Sequence, residues 1–100
     1  MKVKTPLLQK NTESTIPSAR LKAVKRRSTV KVAIPGERFW VIVHSRKGDR
    51  LIGEVDNALV NKSLKLGDII AFNVEHILDI DPYMVPEGLL KVRRKFVEVM

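Results

Sequence analysis

Arg38-Phe39-Trp40-Val41-Ile42-Val43-His44 is the stretch that decides the fold of this chain. The five residues in its middle are all aromatic or β-branched. That composition favours an extended strand, and the lack of polar alternation is typical of a strand that is covered on both faces. The sequence therefore predicts a buried strand at 38–44 in the centre of the fold.

Other strands are predicted on both sides of this one, each bounded by a turn that contains Gly, Pro, Asn or Asp. Lys47-Gly48-Asp49 is one such turn and predicts a hairpin. Five short strands at this spacing predict a mainly β domain with flanking helices (α+β), built on a small five-stranded SH3-like barrel, since closure removes exposed edges. A five-stranded OB-like barrel is the alternative. The remaining strands are predicted at 29–34, 50–56, 69–74 and 77–80.

Helices are predicted before and after the strands. Pro17 or Ser18 suits a helix start, which predicts a short helix at 17–27. The segment 86–99 has apolar residues at helical intervals and predicts a C-terminal helix, although 96–99 could equally form an edge strand.

The first fifteen residues are polar and carry few large apolar side chains. They bury too little surface to offset the entropy of ordering, which predicts a flexible basic tail at 1–15 followed by a single small domain at 16–100.

Charge is distributed very unevenly along the chain. The net charge is +8, and the first 31 residues hold nine cations against one anion, Glu13, whereas the charges of the remainder cancel. Self-repulsion opposes compaction, so such a segment favours an anionic partner. The predicted nucleic-acid-binding residues are Arg20, Lys22, Lys25, Arg26, Arg27 and Lys31, with Arg93, Arg94 and Lys95 as a second cluster.

Composition also excludes several classes of protein. The chain has no Cys, so neither a disulfide framework nor a thiolate metal site is available. The first residues lack the apolar run of a signal peptide, and no run approaches the roughly 18 apolar residues that a membrane-spanning helix needs. We therefore expect a cytoplasmic protein without membrane insertion.

No combination of residues indicates catalysis. His44 and His76 are the only two histidines, and each is interpreted as a hydrogen-bonded structural residue rather than a metal ligand. Clustered carboxylates can support metal-dependent hydrolysis, but these ones stand beside or near Asn, Gly or Pro at turns, and turn chemistry explains them without a metal. The sequence thus predicts no enzyme activity, no metal and no cofactor, with hydrolysis as a weaker alternative. The four carboxylates concerned are Asp56, Asp68, Asp79 and Asp81.

Trp40 is the aromatic residue whose role the sequence leaves open. If Phe39 points into the core, strand alternation sends Trp40 to the opposite face, where it could stack on a base. Core packing is the competing interpretation for Trp40 as for Phe39 and Phe72.

Several short motifs follow one another in a fixed order: Val30-Lys31-Val32, Gly36-Glu37-Arg38-Phe39-Trp40-Val41, Gly48-Asp49, Gly53-Glu54-Val55-Asp56-Asn57, Leu66-Gly67-Asp68-Ile69-Ile70-Ala71-Phe72 and His76-Ile77-Leu78-Asp79-Ile80. In these motifs the chain resembles a small bacterial domain family of unknown function, the YegJ-like proteins. The resemblance covers about residues 18–81 and implies a bacterial domain with a short helix ahead of a curved β-sheet.

Two functions follow from these patterns. The first is a non-enzymatic nucleic-acid-binding module that contacts the backbone of DNA or RNA with its basic arm and helix. The second is a protein-interaction module, an inhibitor or adaptor that docks an acidic surface of a partner. The oligomeric state is not specified by the sequence.

Overall fold

The computed structural model describes residues 2–13 and 15–90, which form a mainly β domain. The mainly β expectation is confirmed. Within the described residues there are one α-helix, α1 (Ser18–Ala23), and short 3₁₀ turns at Val74–His76 and Glu87–Leu89. The strands are β1 (Val3–Lys4), β2 (Thr29–Ile34), β3 (Glu37–Lys47), β4 (Arg50–Val55), β5 (Ile69–Asn73) and β6 (Asp79–Asp81).

All six strands belong to one mixed sheet with the order β1-β5-β4-β3-β2-β6. Strands β2 to β5 form an antiparallel meander, β6 pairs antiparallel with β2, and β1 pairs parallel with β5. The pairings leave β1 and β6 as the two edges, so the described sheet is open and is not the closed five-stranded barrel predicted. The physical reason is that β1 occupies the free side of β5, while β6 is only three residues long.

The central strand is buried on both faces, as its composition predicted. Phe39, Val41 and Val43 belong to the main core cluster on one face, whereas Ile42 and His44 are buried on the other. The pairing with β4 shifts register between Val43 and Ser45, which is a β-bulge at His44. Bulges bend a strand and increase its twist, so the bulge allows the 11-residue β3 to curve around the core.

Gly53 lies where β4 passes closest to β3. A Cβ built on Gly53 would stand 2.5 Å from the carbonyl oxygen of Ile42 and 2.6 Å from Cγ1 of Val41. No side chain fits in that space, so the close approach of the two strands requires glycine here.

The N-terminal segment is packed along the domain, unlike the flexible tail that its composition predicted. Leu8 is only 7% exposed and belongs to the main core cluster. Backbone N–H groups of Gln9 and Asn11 donate to the carbonyls of Ala33 and Glu75. One buried leucine together with backbone hydrogen bonds therefore positions a polar segment, a contribution that composition does not reveal.

The helices differ most from the sequence expectations. Helix α1 ends at Ala23 instead of 27, because Val24 is already extended, with a φ of −62° and a ψ of 126°. Arg27 lies outside the helical region as well, with a positive φ of 81°. The predicted C-terminal helix at 86–99 lies mainly outside the described residues. In the part of it that is described, 86–90, Glu87–Leu89 forms a 3₁₀ turn. Over residues 2–13 and 15–90, no helix is long and apolar enough to cross a bilayer.

Candidate nucleic-acid interface

Helix α1 carries several of the predicted cations and is held on the domain by two arginines. Arg46 of β3 donates through Nη1 to the carbonyls of Leu21 and Val24, at 2.7 and 2.9 Å. Arg20 donates through Nη2 to the carbonyl of Ile80 in β6. No residue of α1 is fully buried, but Leu21 packs against the main core cluster, so one apolar side chain and these contacts to backbone oxygens together fix the helix.

Arg26 and Arg27 act mainly as structural residues. Arg26 forms an ion pair with Glu87 and donates to the carbonyl of His44 at 2.8 Å. Arg27 donates through Nε to the carbonyl of Val85 at 2.7 Å, and its own carbonyl accepts the N–H of Val85. Both guanidinium groups are therefore committed to segment 84–90, although each retains its positive charge.

Lys22 and Lys25 are exposed, and neither pairs with a carboxylate among the described residues. Lys25 lies with Arg26 and Arg46 around a depression of about 440 Å³ beside the β3–β4 hairpin. We call Lys22, Lys25, Arg26 and Arg46 the helix patch. The structure thus concentrates positive charge at the hairpin end of the domain. Arg93, Arg94 and Lys95 lie outside the described residues.

Two other cations of the first 31 residues lie within ion-pair distance of carboxylates. Lys4 contacts Asp68 at 2.7 Å, and Lys10 lies 3.9 Å from Glu75. Lys31 lies opposite Asp79 in the register of β2 and β6. The charge excess is consequently smaller at the surface than the sequence implies.

Trp40 is half-buried on the sheet face opposite the main core, as strand alternation predicted. The ammonium of Lys31 lies 4.7 Å from the centroid of its ring. Trp40 also lines a groove with Tyr83, Asp56 and Asp81, which carry no positive charge. The structure therefore does not bring Trp40 into the helix patch.

His44 and Glu54 form a buried pair that the sequence did not predict. Nε2 of His44 lies 2.8 Å from Oε1 of Glu54, and the side chains are 0% and 2% exposed. The structural interpretation of His44 is confirmed for this nitrogen, whereas its Nδ1 has no hydrogen-bond partner among the described residues.

His76 also has a structural role. Its Nδ1 accepts the backbone N–H of Asn73 at 3.0 Å, which caps the 3₁₀ turn before β6. Burial lowers the pKa of His76 below 6.5, the Glu75 carboxylate acts in the opposite direction, and Lys10 lowers it further.

Asp68, Asp79 and Asp81 accept backbone hydrogen bonds, as turn chemistry predicts. The backbone N–H of Lys65 donates to Asp68, that of Ile80 donates to Asp79, and that of Tyr83 donates to Asp81. Burial acts to raise the pKa of Asp68, but hydrogen bonds from Lys4 and Lys65 and their charges lower it overall. Within the described ranges, no three metal-ligating side chains lie together.

Comparisons with protein-family models, with curated proteins and with solved structures found no match to this chain. The resemblance to the YegJ-like proteins therefore stays a prediction from the motifs alone.

Sequence reasoning missed two residues that build this region, Arg46 and Glu54. A signal for Glu54 was present, because a carboxylate stands in a strand whose other described members, apart from Arg50, are apolar or glycine. Arg46 carries no comparable signal, since a cation beside a turn is ordinarily solvated. Chemically, the helix patch presents positive charge, which suits binding of an anion.

Proposed function

We propose that this chain is a non-enzymatic nucleic-acid-binding module whose helix patch contacts the phosphate backbone. The observation that carries the proposal is that Lys22 on α1 and Lys25, two residues beyond its end, are exposed beside the contacts of Arg46, without carboxylate partners among the described residues. Fixed cations of this kind attract polyphosphate and carry no base-specific information. The module accordingly binds DNA or RNA with little sequence preference.

The strand order gives the proposal a platform. Strands β2 to β5 form a meander, and β6 returns after a 3₁₀ turn to pair with β2. That order supports an SH3-like arrangement of these five strands within an open sheet. A bacterial source, which the YegJ-like resemblance implies, and a cytoplasmic location belong to the same proposal.

Local neutralisation of Lys4 and Lys10 reduces the number of phosphates that the domain can contact. If about four phosphates are neutralised, the logarithm of affinity falls against the logarithm of salt concentration with a slope of about −4. A flat salt response contradicts the proposal.

Fluorescence anisotropy of the full-length protein with labelled single- and double-stranded DNA and RNA tests it. The informative variant is Lys22→Glu/Lys25→Glu, and the matched control is Arg38→Glu/Lys62→Glu. Both pairs are exposed and change the net charge equally, but Arg38 and Lys62 lie near the β2–β3 turn, where Glu37 binds the backbone of 60–61. We expect the first variant to lose most of its affinity. For the binding that remains, the slope of log affinity against log salt concentration should be smaller. Equal losses in the two variants would contradict a localised patch.

A second candidate function is docking to an acidic protein, favoured by apolar side chains beside lysines. Leu7 is 81% exposed and lines a depression with Leu64, next to Lys4. Val60, on the loop that forms one wall, is 87% exposed. Apolar anchors with a basic rim suit an acidic amphipathic segment. Absence of nucleic-acid binding at low salt, together with binding of a labelled acidic amphipathic peptide that Leu7→Asp abolishes, would favour this function.

A further inference from the structure

A groove of about 440 Å³ on the sheet face opposite the main core differs from the rest of the molecule in its charge. Its described lining contains two carboxylates and two aromatic rings, and no Lys or Arg. A surface of this sign suits a cationic ligand. We call it the aromatic groove; its described lining residues are Thr29, Trp40, Ile42, Asp56, Asp81, Tyr83, Val85 and Leu89.

The sheet fixes the floor of the aromatic groove. Asp81, Thr29 and Ile42 face one another across β6, β2 and β3, so they form one cross-strand row. The backbone of Trp40 is held on both sides, because its N–H donates to Oδ1 of Asn57 and its carbonyl accepts the N–H of Asp56. A floor fixed in this way is ordered before a ligand arrives, which reduces the entropic cost of binding.

Trp40 already attracts a cation within the molecule. The Lys31 ammonium lies 4.7 Å from the ring centroid, inside the range of a cation–π interaction. Tyr83 is 64% exposed, so its ring is accessible to a ligand in the groove. The carboxylate of Asp81 lies two positions away from Tyr83 and accepts its backbone N–H at 2.8 Å.

We propose that the aromatic groove binds an arginine side chain of a partner polypeptide. A guanidinium is planar, stacks on aromatic faces and donates several hydrogen bonds to one carboxylate, and therefore uses both kinds of group that the groove presents. Trp40 and Tyr83 contact the guanidinium face, Asp81 accepts its N–H groups, and Val85 and Leu89 contact the methylene stem. This site is separate from the helix patch and does not depend on nucleic-acid binding.

Base stacking on Trp40 is the competing use of the same ring. A nucleotide in the groove would place its phosphate close to Asp81, and like charges repel. An arginine reverses the sign of that interaction. The groove therefore favours a basic peptide over a nucleic acid.

Trp40 is the only tryptophan of the chain, so its fluorescence reports on the groove directly. The probe is the peptide acetyl-Gly-Arg-Gly-amide, and the control is the same peptide with citrulline, which has nearly the same shape and no charge. With the full-length protein we expect saturable quenching by the arginine peptide and at least about tenfold weaker binding of the citrulline peptide. Equal binding of the two peptides, or stronger quenching by a dinucleotide, would overturn the proposal.

The variant Asp81→Asn keeps an oxygen acceptor for the N–H of Tyr83 and removes only the charge. It is expected to weaken the arginine peptide by about tenfold, whereas Glu13→Gln, which removes an exposed carboxylate on a segment that does not line the groove, leaves affinity unchanged. Tyr83→Leu gives a second reading if Asp81→Asn alters folding, which circular dichroism detects. Unchanged affinity in folded Asp81→Asn and in folded Tyr83→Leu would exclude the site.

Discussion

Nε2 of His44 and Oε1 of Glu54 lie 2.8 Å apart in the interior of the sheet, where neither side chain is more than 2% exposed. The two residues belong to neighbouring strands, and His44 is the bulged residue of β3. The pair therefore connects the two strands at the bulge of β3.

Removing one member of this pair is expected to destabilise the domain strongly. Glu54→Ala and His44→Ala should each reduce the free energy of unfolding by about 3 kcal/mol, because each leaves a buried polar partner without its contact. Urea denaturation of both single variants and of the double variant measures the coupling. Additive losses in the double variant would show that the two side chains do not act as a pair.

Gly53→Ala is expected to disrupt the close approach of β3 and β4. Its new Cβ would stand 2.5 Å from a backbone oxygen that cannot move without breaking the ladder, so a loss of about 3 kcal/mol or more is expected. Gly88→Ala is the matched control, since nothing lies within 4 Å of a Cβ there. Thermal unfolding measures both, and similar melting temperatures for the two variants would contradict the packing described for Gly53.

Acid is expected to weaken the turn that His76 caps. The pKa of His76 lies below that of the unfolded chain, so the unfolded state binds more protons and the free energy of unfolding decreases as pH falls from about 7 to about 5. His76→Gln keeps an acceptor for the N–H of Asn73 and removes the titration. Its stability profile should be flatter over this window, as measured by urea denaturation at several pH values. A steeper profile would contradict the assignment.

Arg46→Lys is expected to loosen α1 while the charge is kept. An ammonium cannot reproduce the fork that reaches the carbonyls of Leu21, Val24 and Gly48, so a loss of about 1–2 kcal/mol and faster amide exchange in α1 are expected. Arg50→Lys, on an exposed arginine of the same hairpin, should change stability by less than about 0.5 kcal/mol. Equal behaviour of the two variants in hydrogen exchange would argue against the anchoring role of Arg46.

Local chain chemistry predicts the meander well and the edges of the sheet poorly. Strand β2 has the bounds that alternation and Pro35-Gly36 gave it, and the buried centre of β3 follows from its composition. Strand β1 was not predicted, because two residues carry no period and their pairing with Ile69 and Ile70 depends on distant sequence. For the same reason, local sequence does not reveal that β1 covers the free side of β5 and that the sheet stays open.

The candidate site was predicted as a set of charges, and the structure separates their roles. Lys22 and Lys25 remain exposed cations, whereas Arg26 and Arg27 are committed to Glu87 and Val85. A sequence gives the sign of each group but not its tertiary partner, so structural and binding arginines look alike before the fold is known. Lys31, the last cation of the first 31 residues, lies over the Trp40 ring instead.

The parallel pairing of β1 with β5 sets an order of events during biosynthesis. Lys4 meets Asp68 across 64 positions of chain, so Val3 and Lys4 leave the ribosome long before their partner strand exists. Contacts of this kind form late, since the intervening loop must close first. Once β5 has formed and until β1 pairs with it, the free side of β5 is open to a strand from another molecule. When many unfinished chains are crowded together, pairing with a neighbour's strand would trap them in the wrong assembly.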